Sequence, residues 1–276
     1  MNVPAYAELQ VASNFSFLRG ASHPEELVAS AAALGHAAVA ITDRNTLAGV
    51  VRAHGEAKRA GIQLLVGARL DLEDGPSLLC FPRTRKAYGQ LCRLLTLGQR
   101  RAAKGACMLF LDDVFGPENG SAADQVLIVL APETSLDGFE PVLRGICQRQ
   151  PPHLYLAVHR LYRGDDAPRL QALAHIGQAC GVPLVATNDV HAHEAARRPL
   201  QDVLWCVREH CTVDQAGFRL LANAERHLKP AAEMLRLFEG YEDAVARTVE
   251  VAKLIRFSLE ELRYEYPVDE IGRAHV

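Results

Sequence analysis

Short runs that are apolar at almost every position alternate along this chain with longer amphipathic ones. Residues 7–12, 37–43, 63–72, 77–81, 125–131, 153–159 and 183–189 read as strands. Between them, 24–34, 47–60, 87–98, 139–147, 168–180 and 199–209 carry the periodicity of helices. The punctuation agrees: Ser22 and Pro24 open the first helix, Gly35 closes it and Gly61 closes the second. Residues 37–41 and 182–186 are apolar on both faces, which is the mark of a parallel sheet covered by helices. Repeated strand–helix units of this kind predict an α/β barrel or a doubly wound sheet, and the pattern leaves both open. From about Thr212 the character changes. Residues 231–238 and 241–256 read as two helices, the second with Glu250, Lys253 and Arg256 outward and Val245, Val249 and Ala252 inward. The expected organisation is an α/β unit at 1–211 with a helical extension at 212–267 packed on it.

Polar residues gather at the predicted strand ends, where parallel α/β folds place ligands. Thr42-Asp43-Arg44-Asn45 and the run from Thr187 to His191 each follow an apolar strand, and His159 ends a third. Asp189 and His191, two apart on an extended chain, share a side. With His159, and with His193 two residues on, they offer imidazole and carboxylate ligands suited to zinc, manganese or iron. The bland alternative is an Asp capping the next helix beside loop histidines, and spacing alone does not choose. Asp43-Arg44 could be catalytic, or an ion pair or helix cap; Glu25 and Glu26 are explained by the dipole of the helix they open. The sequence has no Gly-x-Ser-x-Gly elbow, no phosphate-binding Gly-Lys-Ser/Thr loop and no Gly-x-Gly-x-x-Gly after a strand, which argues against an α/β-hydrolase, a nucleotide-binding ATPase and a dinucleotide enzyme.

Composition narrows the partners. A formal net charge of −3 is unlike a free-standing DNA-binding domain, so any grip on DNA is expected to come mostly from elsewhere. The seven cysteines lack zinc-ribbon spacing and read as reduced thiols. No apolar run approaches the ~18 residues that span a bilayer, so no membrane role and a cytoplasmic location are expected.

Longer strings then carry a resemblance. Tyr6-Ala-Glu-Leu, Ser13-Asn-Phe-Ser-Phe-Leu, the run from Ala40 to Gly49, Val66-Gly67-Ala and Val185-Ala-Thr-Asn-Asp-Val-His191 look like motifs of the PHP (polymerase and histidinol phosphatase) domain that opens alpha-type bacterial DNA polymerases. The strings Arg197–Leu204, Ala224–Lys229 and Leu262–Pro267 resemble its continuation in the error-prone branch. The resemblance covers about residues 6 to 267. It implies a distorted (β/α)7 PHP barrel, whose active members hold up to three metals at the strand ends and hydrolyse phosphoesters through activated water. This sequence departs from that pattern. Gln10 and Ala12 replace the opening His-x-His, Arg19 replaces an Asp, Arg44 a His and Arg69 a Glu. Of the ligands, His159, Asp189 and His191 survive. Arginine cannot deprotonate or ligate a cation, so the resemblance implies a degenerate metal site, no catalytic residue and no cofactor in this stretch. Arg19, Arg44 and Arg69 could form a structural salt-bridge network or receive a phosphate-bearing group. A guanidinium could also stand in for the metal by pairing with Asp189.

For the parent protein the resemblance implies template-directed, magnesium-dependent DNA synthesis in damage tolerance. DNA and deoxynucleotides would be met through other domains, with the palm as a partner in cis and mutasome-type accessory proteins beside it. The alternative is a stand-alone, histidinol-phosphatase-like phosphoesterase; a third reading is a binding module alone. Residues 268–276 are expected to be a non-native tail, because Glu270-Ile-Gly-Arg-Ala-His-Val276 matches an in-frame translation of a sequencing-adapter oligonucleotide.

Overall fold

The computed structural model describes residues 5–116 and 121–262; the expected tail at 268–276 lies outside them. Eight strands are present: β1 (Ala7–Glu8), β2 (Ala38–Ile41), β3 (Gln63–Val66), β4 (Ala68–Leu70), β5 (Leu78–Pro82), β6 (Gln125–Val129), β7 (Leu154–Val158) and β8 (Leu184–Ala186). The helices that cover them are α1 (Pro24–Ala33), α2 (Val50–Ala60), α3 (Arg85–Arg101), α4 (Leu111–Phe115), α5 (Phe139–Gln148), α6 (Asp166–Cys180) and α7 (Arg198–Arg208). Then follow α8 (Val213–Ala216), α9 (Ala231–Leu237) and α10 (Glu242–Leu254).

Two sheets form, β1-β2-β3 and β4-β5-β6-β7-β8, and short bridges join them into one distorted barrel. On one side Ala12 N–H donates to Val190 O and Val190 N–H to Gln10 O, both at 2.8 Å, linking the ends of β1 and β8. On the other, Arg44 and Arg69 form a parallel bridge. The predicted run 63–72 is therefore not one strand. It bends at Gly67, where an added Cβ would lie 2.5 Å from the Phe81 ring, so β3 pairs with β2 and β4 turns onto β5. With β3 and β4 counted as one bent strand, the barrel has seven.

The pairing also departs from an all-parallel sheet. β5 is antiparallel to both β4 and β6. Only residues 71–77 separate β4 from β5, too short a link for the crossover of a dozen or more residues that parallel pairing needs. Periodicity shows that a segment is a buried strand, not which way it runs.

Helix ends follow their capping residues. Thr84 Oγ1 accepts from Ala87 N–H at the start of α3, and Gly61 and Gly181 end α2 and α6 in the left-handed conformation where a Cβ is costly. In α10 the inward face is Ala244, Val245, Thr248, Val251 and Ala252; Val249, expected there, is half-buried. This helix lies against β1 and β8, and its Thr248 Oγ1 accepts from Ala7 N–H at 3.1 Å. α9 sends Met234 into the main core beside Phe238 and Tyr6. Among the described residues no helix is long and apolar enough to cross a membrane.

Candidate functional site

The chain segments leaving β1, β2, β7 and β8 meet at one mouth of the barrel. They surround a cavity of about 200 Å3 whose lining includes Gln10, Ala12, Arg19, Arg44, Arg69, Asp189 and His191. Every position at which the sequence departs from the metal-binding pattern therefore faces one space. His159 lines the adjoining cleft with Arg69, Asp189 and Arg226.

Asp189 sits at the centre, with a φ of 44°, a left-handed conformation that Asp tolerates better than most residues. Its Oδ1 accepts from Gln10 Nε2 at 2.5 Å, and its Oδ2 is ion-paired with Arg226 Nη1. Gln10 turns its Oε1 the other way, accepting from His159 Nε2 at 2.9 Å and from Thr187 Oγ1 at 3.0 Å. His191 Nε2 is 3.6 Å from Asp189 Oδ1, while its Nδ1 accepts from Gln201 Nε2 of α7 at 2.9 Å. Burial, reinforced by the nearby charge of Arg226, pushes the His159 imidazolium down to about 3. Burial and the charge of Arg69 do the same to His191, also to about 3. Both rings are thus neutral across the physiological range. His193 takes no part: its Nδ1 faces Ser22 Oγ at 2.8 Å.

Arg226 is the residue that sequence reasoning missed. It lies beyond α7, far from any predicted strand. The segment carrying it is stitched to the end of β8: Asn188 Nδ2 donates to Glu225 O and His227 O at 2.8 and 2.6 Å, and His191 N–H to Arg226 O at 2.8 Å. Its second nitrogen reaches Glu133 Oε2 at 3.0 Å. A guanidinium does pair with Asp189, but it is that of Arg226 and of none of Arg19, Arg44 and Arg69.

Those three are arranged differently. Arg44 and Arg69 share one carboxylate, Asp71; their Nε atoms donate to it at 2.6 and 2.9 Å. Arg19 has no carboxylate within ion-pair distance among the described residues, and burial together with the charges of Arg44 and Arg208 lowers its guanidinium to about 10. Asp43 does not pair with its neighbour Arg44. It accepts from the backbone and hydroxyl of Ser13 at 2.7 Å each and from Ser16 Oγ at 2.6 Å, clamping the loop that carries Arg19. At the first helix, Glu26 accepts from His23 N–H at 2.8 Å, as a helix-start acid does, but it also pairs with Arg197, and Glu25 pairs with Arg52 of α2 at 2.5 Å, so the helix dipole is not their whole explanation.

A divalent cation does not fit this donor set. The Asp189 oxygens are held by Arg226 and Gln10, and Arg44 and Arg69 stand at the rim as fixed positive charges that repel a metal. Among the described residues no three His, Cys, Asp or Glu side chains are grouped so as to hold an ion.

Residues 8–118 match the PHP domain. The fold agrees: superposed on the crystal structure of a protein assigned as a metal-dependent phosphoesterase from Bifidobacterium adolescentis, this chain gives a TM-score of 0.50 at 16% identity, over 69% of its length and 89% of that chain. Relatives by sequence are the error-prone DNA polymerase of Caulobacter vibrioides, 50% identical over 98% of this chain, and that of Rhodopseudomonas palustris strain BisB5, 47% identical over 98%. Error-prone DNA polymerase 1 of Agrobacterium fabrum is 45% identical over 97%. This chain spans about a quarter of their length, 25%, 25% and 24% respectively.

Proposed function

We propose that this chain is the N-terminal PHP module of an error-prone, DNA-directed DNA polymerase used in damage-induced mutagenesis and translesion synthesis. The observation that carries the reading is identity near one half, sustained across 98% of the chain, to polymerases of that name. The module's own role is structural. Arg226 replaces the metal as the cation that ties the strand ends together, and Gln10 bridges β1 to His159 and Asp189. Nucleotide addition, with its magnesium, its deoxynucleotide substrates and the template strand, belongs to a palm and further domains contacted in cis, and accessory proteins of the damage response bind the assembled enzyme in the cytoplasm. If any ion persists, its ligands are His159, Asp189 and His191. A stand-alone phosphoesterase is the weaker reading, because the carboxylate that would ligate the metal is already ion-paired.

Long-read sequencing of the source locus past the Glu270 codon, followed by primer extension with the product of the continuous frame, tests this. A frame that runs on into a palm and extends a primer supports it. A genuine stop after Val276, with this tail encoded in clean genomic DNA, would leave a stand-alone module instead.

A further inference from the structure

Residues 83–104 carry seven Lys or Arg and no Asp or Glu, in a chain whose net charge is −3. Most of this stretch is α3, which buries Ala87, Leu91, Leu94 and Leu95 against the barrel. Two of its cations are accounted for: Arg83 turns inward to His153 and Leu254 O, and Arg101 pairs with Asp113 at 2.5 Å. Lys86, Arg93 and Arg100 are exposed, and none has a carboxylate partner among the described residues. An ordinary surface helix mixes both signs, since opposite charges three or four residues apart support each other. This one presents a single sign along its length.

The spacing is regular. Lys86, Arg93 and Arg100 are seven residues apart, so each step rises about 10.5 Å along the helix and drifts only about 20° around it. One strand of duplex DNA places phosphates about 3.4 Å apart along its axis, so three base pairs span nearly the same distance. Beside the row lies an open groove of about 1250 Å3, lined among others by Arg93, Arg100, Arg101 and Arg149. Its two acids, Asp112 and Asp113, are each taken by an arginine, at 2.7 and 2.5 Å.

We infer that the exposed face of α3 is a docking surface for the phosphate backbone of duplex DNA, separate from the barrel mouth and independent of base sequence. Three contacts give weak binding, which suits a module that assists a larger enzyme's hold on DNA. The choice of DNA rests on the polymerase reading; the one-signed face does not.

The test is fluorescence anisotropy of a labelled duplex titrated with the whole chain, from about 50 to about 200 mM salt. Expected is binding at low salt whose log K falls with log salt at a slope near −2.7, about 0.9 per phosphate contact. Reversing the row (Lys86→Glu, Arg93→Glu, Arg100→Glu) weakens binding at least about tenfold with an unchanged circular dichroism spectrum, and the triple alanine variant gives an intermediate loss. Reversing Lys253, exposed near the end of α10, and Arg256, exposed just beyond it, leaves binding near that of the unaltered chain. No binding at low salt, or equal binding by the reversed row, overturns the inference. So does tighter binding to an RNA duplex, or capture of polyglutamate with DNA ignored, which would point to an acidic protein partner. Primer extension tests the polymerase reading on its own, so either idea can fail while the other stands.

Discussion

Asp189 and Arg226 make a buried pair, their side chains 7% and 8% exposed, and such pairs are unforgiving when halved. Taking the cation away leaves a carboxylate that is neither solvated nor compensated, at a cost of about 3 kcal/mol or more. Arg226→Met is therefore expected to lower unfolding free energy by that order, measured by urea denaturation. Asp189→Asn, which keeps the left-handed backbone tolerable, should recover much of the loss when combined with it. Additive single effects would mean that the two residues act independently. At this scale the sequence was partly legible. His159, Asp189 and His191 stood out because they end predicted strands, and the structure brings all three to one mouth. Gln10, Arg19, Arg44 and Arg69 became meaningful only through the family resemblance. Arg226 could not be found by spacing, because no local pattern says that an arginine 37 positions beyond Asp189 folds back onto it.

Between residue and molecule, elements with strong local signals matched their reading and those set by long-range pairing did not. α1, α2 and α6 end where Gly35, Gly61 and Gly181 allow positive φ. The run 63–72 looked continuous because Val66-Gly67-Ala68 stays apolar and small across the bend. What breaks it is the Phe81 ring packed over Gly67 from β5, a contact between elements. Gly67→Ala should thus strain the junction of the two sheets and destabilise the fold by about 1–3 kcal/mol. Pairing it with Phe81→Leu should return part of that, and thermal melts of the two variants check both outcomes. An unchanged melting temperature for Gly67→Ala would show that the bend is not held by this contact.

Across the whole molecule, the barrel and its helical extension share the site. α10 lies on β1 and β8, and the segment before α9 delivers Arg226 to the mouth. The fold is shared with a solved protein assigned as a metal-dependent phosphoesterase, and the charge that faces Asp189 at the mouth of this barrel is the guanidinium of Arg226. Strands apolar on both faces pointed to helix-covered α/β layers and left a barrel and a doubly wound sheet open; the barrel was implied only by the family resemblance, and its closure through residues 10–12 and 190 is a long-range contact that no local pattern announces. The most direct test of guanidinium in place of metal is elemental analysis of the purified chain after exhaustive dialysis, with a phosphoesterase assay on the same sample. The expected result is substoichiometric zinc, manganese and iron and no hydrolysis. About two or more tightly held ions per chain, with turnover of a phosphoester, would contradict it.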